Sequence, residues 1–162
     1  MAITIMSWLL AIPLLGMATG LRATVPMAVL CWFAWLGYLP VQGTWAAWTA
    51  RIAAVALFTV LALSECAADK FSRMLDSTAP GPLTARLVFG GLVGSIAATA
   101  MNGQGLEGVL LGVVGAALGA FAGSMLRREM AERMCCAEWP FALAEDLIAL
   151  LCAFFALRVV TN

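Results

Sequence analysis

The chain is apolar from Met1 to about Leu39, with a single charge, Arg22, in that run. As one helix at about 1.5 Å per residue the run would be close to 60 Å long, against a bilayer core of about 30 Å. It must therefore break. Gly20 weakens a helix and Pro26 removes a backbone donor, so the break is expected around Gly16-Met17-Ala18-Thr19-Gly20-Leu21-Arg22-Ala23-Thr24-Val25-Pro26. Two short spans result, about 3–19 and 22–38. Gly37 to Gly43 is a turn-rich connection. Further apolar runs cover about 47–67, 83–101, 106–126 and 139–160. A polar segment with Asp69, Lys70, Arg73 and Asp76 separates the third from the fourth, and Ala79-Pro80-Gly81-Pro82 closes it. Asn102-Gly103-Gln104-Gly105 is a tight turn, and Arg127–Arg133 is a charged, amphipathic helix end with i,i+4 pairs Arg128/Glu132 and Glu129/Arg133.

The expected fold is an all-α integral membrane protein, one domain over 1–162. It is a compact bundle of about six transmembrane helices, or five plus a re-entrant half-helix if part of the first run fails to cross. Two weakly similar halves, 1–78 and 79–162, are suggested by a short echo between Leu14-Leu15-Gly16 with Gly20 and Leu110-Leu111-Gly112 with Gly115.

Composition sharpens this picture. Of 162 residues, 64% are hydrophobic and 11% charged, where a soluble domain carries about 25% charged. Lys+Arg equals Asp+Glu at nine each, so no bulk charge argues for nucleic acid. No basic residue precedes Arg22, and the first run reads as a retained span. There is no histidine, and the five cysteines show no zinc spacing, so neither a metal nor another cofactor is expected. Cys135-Cys136 reads as small apolar filler near a membrane face, with redox or lipidation use as the alternative.

In a six-span arrangement seven of the nine basic residues fall at one face, leaving Arg51 and Arg158 opposite. The positive-inside rule makes that face cytoplasmic and both termini external.

Glycines recur at three- and four-residue steps: Gly16 and Gly20; Gly90 and Gly94; Gly108, Gly112, Gly115, Gly119 and Gly123. Such stripes permit close helix approach, within one chain or in a homo-oligomer. Among charged residues, Glu65 and Asp69 share a helix face, and Glu145 and Asp146 sit inside the sixth apolar run. With Arg22, four carboxylates and an arginine converge at one depth. Membrane-embedded acids often mark ion or proton paths. The bland reading is that Arg22 pairs with a carboxylate, Glu65 or Glu145 first, as a clamp.

Gly20-Leu21-Arg22 with Pro26, the Glu65–Lys70 segment, Ala79-Pro80-Gly81-Pro82-Leu83 with Arg86, and Glu145-Asp146 together resemble domain-of-unknown-function family 4126, a group of small bacterial membrane proteins. The resemblance implies a compact helical protein of the bacterial inner membrane in which these polar positions form a pattern. It implies no activity.

Three functions follow as expectations. The first is a small transporter or channel for a small ion or an anionic or proton-coupled solute, with Arg22 as counter-ion and Glu65, Asp69, Lys70, Arg86, Glu145 and Asp146 around it. The second is a membrane enzyme acting on a lipid or isoprenoid phosphate headgroup. There Asp69 and Glu145 would serve Mg²⁺ or acid–base work, and Arg22, Lys70 and Arg86 phosphate. The third is a scaffold whose glycine faces only assemble helices.

Overall fold

The computed structural model describes residues 2–71, 80–133 and 139–161, with side chains for 9–67, 81–126, 128–129 and 143–161. The described residues are helical, with no strand among them. The helices are α1 (Ala2–Leu21), α2 (Val25–Trp35), α3 (Ile52–Phe71), α4 (Pro80–Ala100), α5 (Gly105–Arg133) and α6 (Trp139–Val160), with a 3₁₀ turn at Trp45–Ala50 before α3. Two stretches, Gly81–Ala100 and Gly105–Leu126, are long and apolar enough to cross a membrane. Cys135 and Cys136 lie outside the described residues.

The middle of the bundle is a three-helix seam without bulky side chains. Gly90 and Gly94 of α4 face Gly112 and Gly108 of α5 in antiparallel order. Gly16 and Gly20 of α1 face Gly112 to Ala120 of α5, and there the numbers rise together, so α1 and α5 run parallel. The five-glycine stripe of α5 thus serves two neighbours. Its upper part receives α4, and Gly115 and Gly119 receive α1 at the Pro13 and Met17 carbonyls. A Cβ on Gly112 would meet the Gly90 carbonyl and lie 3.2 Å from the Gly94 Cα. Backbone cannot yield as a side chain can, so the seam is closed to any larger residue.

The opposite face of α5 carries Leu106, Leu110, Val114, Leu118, Phe121 and Met125, all exposed, and α3 and α6 likewise turn leucines and phenylalanines outward. A soluble monomer rarely shows apolar surface on this scale.

The second apolar run departs from the expected 22–38 helix. Helix α2 has 11 residues, about 16 Å. Residues 36–44 then fold back as irregular chain, with Gly37 and Gly43 at φ of 81° and 80°. Leu39 and Val41 of this segment, and Ala46 and Thr49 of the 3₁₀ turn after it, are buried. Trp45 Nε1 donates to Thr99 Oγ1 at 3.2 Å, which ties the segment to the C-terminal end of α4. Proline and paired glycine turns stop a helix here in spite of the apolar composition.

Candidate functional site: a recessed helix elbow

The first run breaks at Arg22-Ala23-Thr24, between α1 and α2. Continuing the helix would drive the Pro26 ring into the carbonyl four residues back, that of Arg22. In α2 the proline instead occupies the first turn, where its missing N–H costs nothing.

A break exposes backbone groups that the helix would have paired with one another. Here they are the Gly20 carbonyl on one side and the Ala23 and Thr24 amides on the other. Both sides are answered by side chains from other helices. Arg86 of α4 donates through Nη1 to the Gly20 carbonyl at 2.7 Å. Glu65 of α3 accepts from Ala23 N at 3.0 Å through Oε1, and from Thr24 N at 2.9 Å and Thr24 Oγ1 at 2.5 Å through Oε2. A cation thus closes the C-terminal end of α1 and an anion closes the N-terminal end of α2. These are the signs each helix dipole favours.

Arg22 is 1% exposed, the largest of the fully buried side chains. Its Nε lies 2.5 Å from Asp146 Oδ1 of α6. Cys66, one residue past Glu65, lies beside the same Asp146. The sequence put Glu65 or Glu145 first as the partner of Arg22. Glu65 is drawn to the free amides instead, and Asp146 takes the guanidinium. Glu145 is also buried, with Oε1 3.7 Å from the point a Cβ on Gly123 would occupy. Asp69 and Lys70 lie in the last turns of α3, and their side chains fall outside the described residues.

The elbow is recessed. Helix α3 continues six residues past Glu65 and α6 begins seven residues before Asp146, each about 10 Å of helix. Helix α5 runs ten residues past Gly123, about 15 Å. The polar elbow therefore lies inside the bundle, below the level at which these helices end.

Three candidates from the sequence meet here directly: Arg22, Glu65 and Asp146. Arg86 joins them through the Gly20 carbonyl. Sequence reasoning missed Thr24 as the hydroxyl on Glu65 and Cys66 as a neighbour of Asp146. A threonine two residues before a proline is an N-cap signal that could have flagged the first. Among the described residues no group of three Cys, Asp or Glu is arranged to hold a metal ion.

No family model, no curated protein and no solved structure matches this chain.

Proposed function

We propose that the chain is a multi-pass protein of the bacterial inner membrane, related to family 4126, and that the elbow is the internal site of a small transporter. Six passes fit the helix directions. Thr24 meets Glu65 and Trp32 Nε1 donates to Thr59, so α2 and α3 are antiparallel. The chain after α2 reaches the far end through Trp45 before α3 returns. Arg22, Lys70, Arg86 and Arg127–Arg133 then share one end, with Arg51 and Arg158 at the other. On the positive-inside rule the first end is cytoplasmic.

The observation that carries transport is the recessed break: two helix ends meet inside an apolar bundle with a buried Arg–Asp pair beside them. Discontinuous helices whose ends face a polar site at depth are the recurrent construction of small-solute carriers. A small ion or proton-coupled solute suits the site better than an anion that must displace Asp146 from Arg22.

The test is flux into reconstituted vesicles containing a pH indicator, challenged with small ions and solutes. Wild-type protein should carry one of them. Arg22→Ala/Asp146→Asn should fold yet carry none. Undiminished flux in that variant would remove the elbow from the pathway. A second reading, a scaffold, is favoured by the partners that Arg86 and Glu65 find inside the protein. It expects no flux at all and altered stability alone.

A further inference from the structure

Helix α3 is held unevenly along its length. Its first half is seated in the bundle, with Ala54, Val55 and Phe58 buried. The Phe58 ring stands 6.1 Å from that of Trp48 in the 3₁₀ turn and 6.2 Å from that of Phe89 in α4. Beside it Thr59 accepts from Trp32 of α2 at 3.1 Å. From Thr59 to Ala67 no side chain is buried, and Val60 and Leu63 are 64% and 66% exposed. In this stretch Glu65 reaches the elbow, where it accepts from the Ala23 and Thr24 amides and the Thr24 hydroxyl. Cys66 lies beside Asp146, the partner of Arg22.

Apolar burial thus fixes the first half of α3, and along 59–67 it gives way to the bonds of Glu65. The two kinds of hold differ. Interlocked rings have one packed arrangement. The freed amides need an acceptor at all times, but any acceptor serves, and water or a solute entering the elbow can replace the carboxylate. Among the described residues α3 packs on α2 and the 3₁₀ turn, and lightly on α6. It takes no part in the glycine seam, so its second half can swing while α1, α4 and α5 stay in contact.

We propose that the second half of α3 is a gate over the elbow, pivoting near Phe58 and latched by Glu65 on the Ala23 and Thr24 amides. As the gate of the proposed transporter it rests on that reading, but its motion is measured without flux. Ala67 lies nine residues past Phe58, about 14 Å of helix. A swing of about 20°, an ordinary helix tilt in a bilayer, carries it about 5 Å.

The test is pulsed electron resonance on the full chain in phosphatidylcholine nanodiscs. Spin labels on an introduced ketone side chain leave the five native cysteines in place. One pair is Ala67 and Met125, exposed near the elbow end of α3 and α5. The other is Leu57 and Leu110, exposed toward the opposite end of the same helices. With Glu65 intact each pair should give one distance. Glu65→Ala should add to the first pair a second population shifted by up to about 5 Å, and leave the second pair unchanged. Glu65→Gln, which keeps the shape and one acceptor, should add a smaller one, and it decides if Glu65→Ala does not fold. A first pair that keeps its single distance would overturn the proposal. So would equal change in both pairs, since Glu65 would then hold the whole helix and there would be no pivot. Movement in the variants without flux from wild-type protein removes the transport reading and leaves the gate. Flux with an immobile first pair does the reverse.

Discussion

Two regions meet at Gly20. On one side is the seam of α1, α4 and α5, where glycines bring the helices into contact backbone to backbone. On the other is the elbow, where α1 stops and its loose ends are tied by Arg86, Glu65 and the Arg22–Asp146 pair. The seam holds by shape and tolerates no added atoms. The elbow holds by charge and hydrogen bonding, and its members can be exchanged in pairs. The difference separates what fixes the bundle from what can move within it. Packing of backbone on backbone has one arrangement, whereas side chains that satisfy a break can release it.

Gly112→Leu should have the largest effect. Gly112 lies between both neighbours, with the Gly90 and Gly94 backbone on one side and the Gly16 backbone on the other. Overpacking usually costs about 1–3 kcal/mol, and more where no side chain can give way. Loss of the folded monomer in detergent is expected, read by thermal melting and by size. By contrast, Gly37→Ala meets nothing within 4 Å and suffers only from its φ of 81°, a cost of about 1 kcal/mol. Equal effects of the two would show that close backbone approach at the seam adds nothing to the cost.

Arg22→Ala comes next. It leaves Asp146 half-buried without its guanidinium, and breaking such a pair costs roughly 3–5 kcal/mol. Arg22→Ala/Asp146→Asn should recover most of that loss, since no orphan charge remains. A seam substitution has no such rescue. Denaturation of single and double variants completes the cycle, and additive losses would show that the two residues are not coupled.

The seam was legible in the sequence because glycine spacing is local: steps of three and four place residues on one face whatever the rest of the chain does. That the stripe is shared between α4 and α1 was not, because spacing names a face and no partner. The break near Gly20 and Pro26 was legible for the same local reason. The short α2 was legible only in part: the Gly37–Gly43 turn is local, whereas the burial of Leu39, Val41 and Ala46 beyond it is tertiary. The carboxylates were seen as a group. Which one would take Arg22 depended on backbone amides freed by the break, a demand that no side-chain pattern announces.

Arg86→Met should follow in size. The Arg86 guanidinium answers the Gly20 carbonyl, and hydrogen bonds to charged groups contribute about 1.5–3 kcal/mol. Methionine keeps much of the bulk and none of the donors. A loss in that range, measured by reversible denaturation in mixed micelles, would assign Arg86 to the elbow. A loss near that of Gly112→Leu would assign it to the seam, since Gly20 belongs to both.

The smallest effect should come from Thr24→Val, which removes one hydroxyl and keeps the shape. Thr24 is the N-cap of α2, yet its side chain makes no cap bond within the helix. Its Oγ1 donates to Glu65 Oε2 instead, and the same oxygen already accepts the Thr24 amide. The carboxylate therefore keeps both backbone donors when the hydroxyl is gone, and one neutral donor is worth about 1 kcal/mol. Glu65→Ala removes all three bonds together and leaves two amides of the break without their acceptor. That variant should lose two to three times as much as Thr24→Val in the same denaturation assay. If the two losses are equal, the hydroxyl and not the backbone is what Glu65 holds. The elbow would then be a side-chain contact laid over a break that is stable without it.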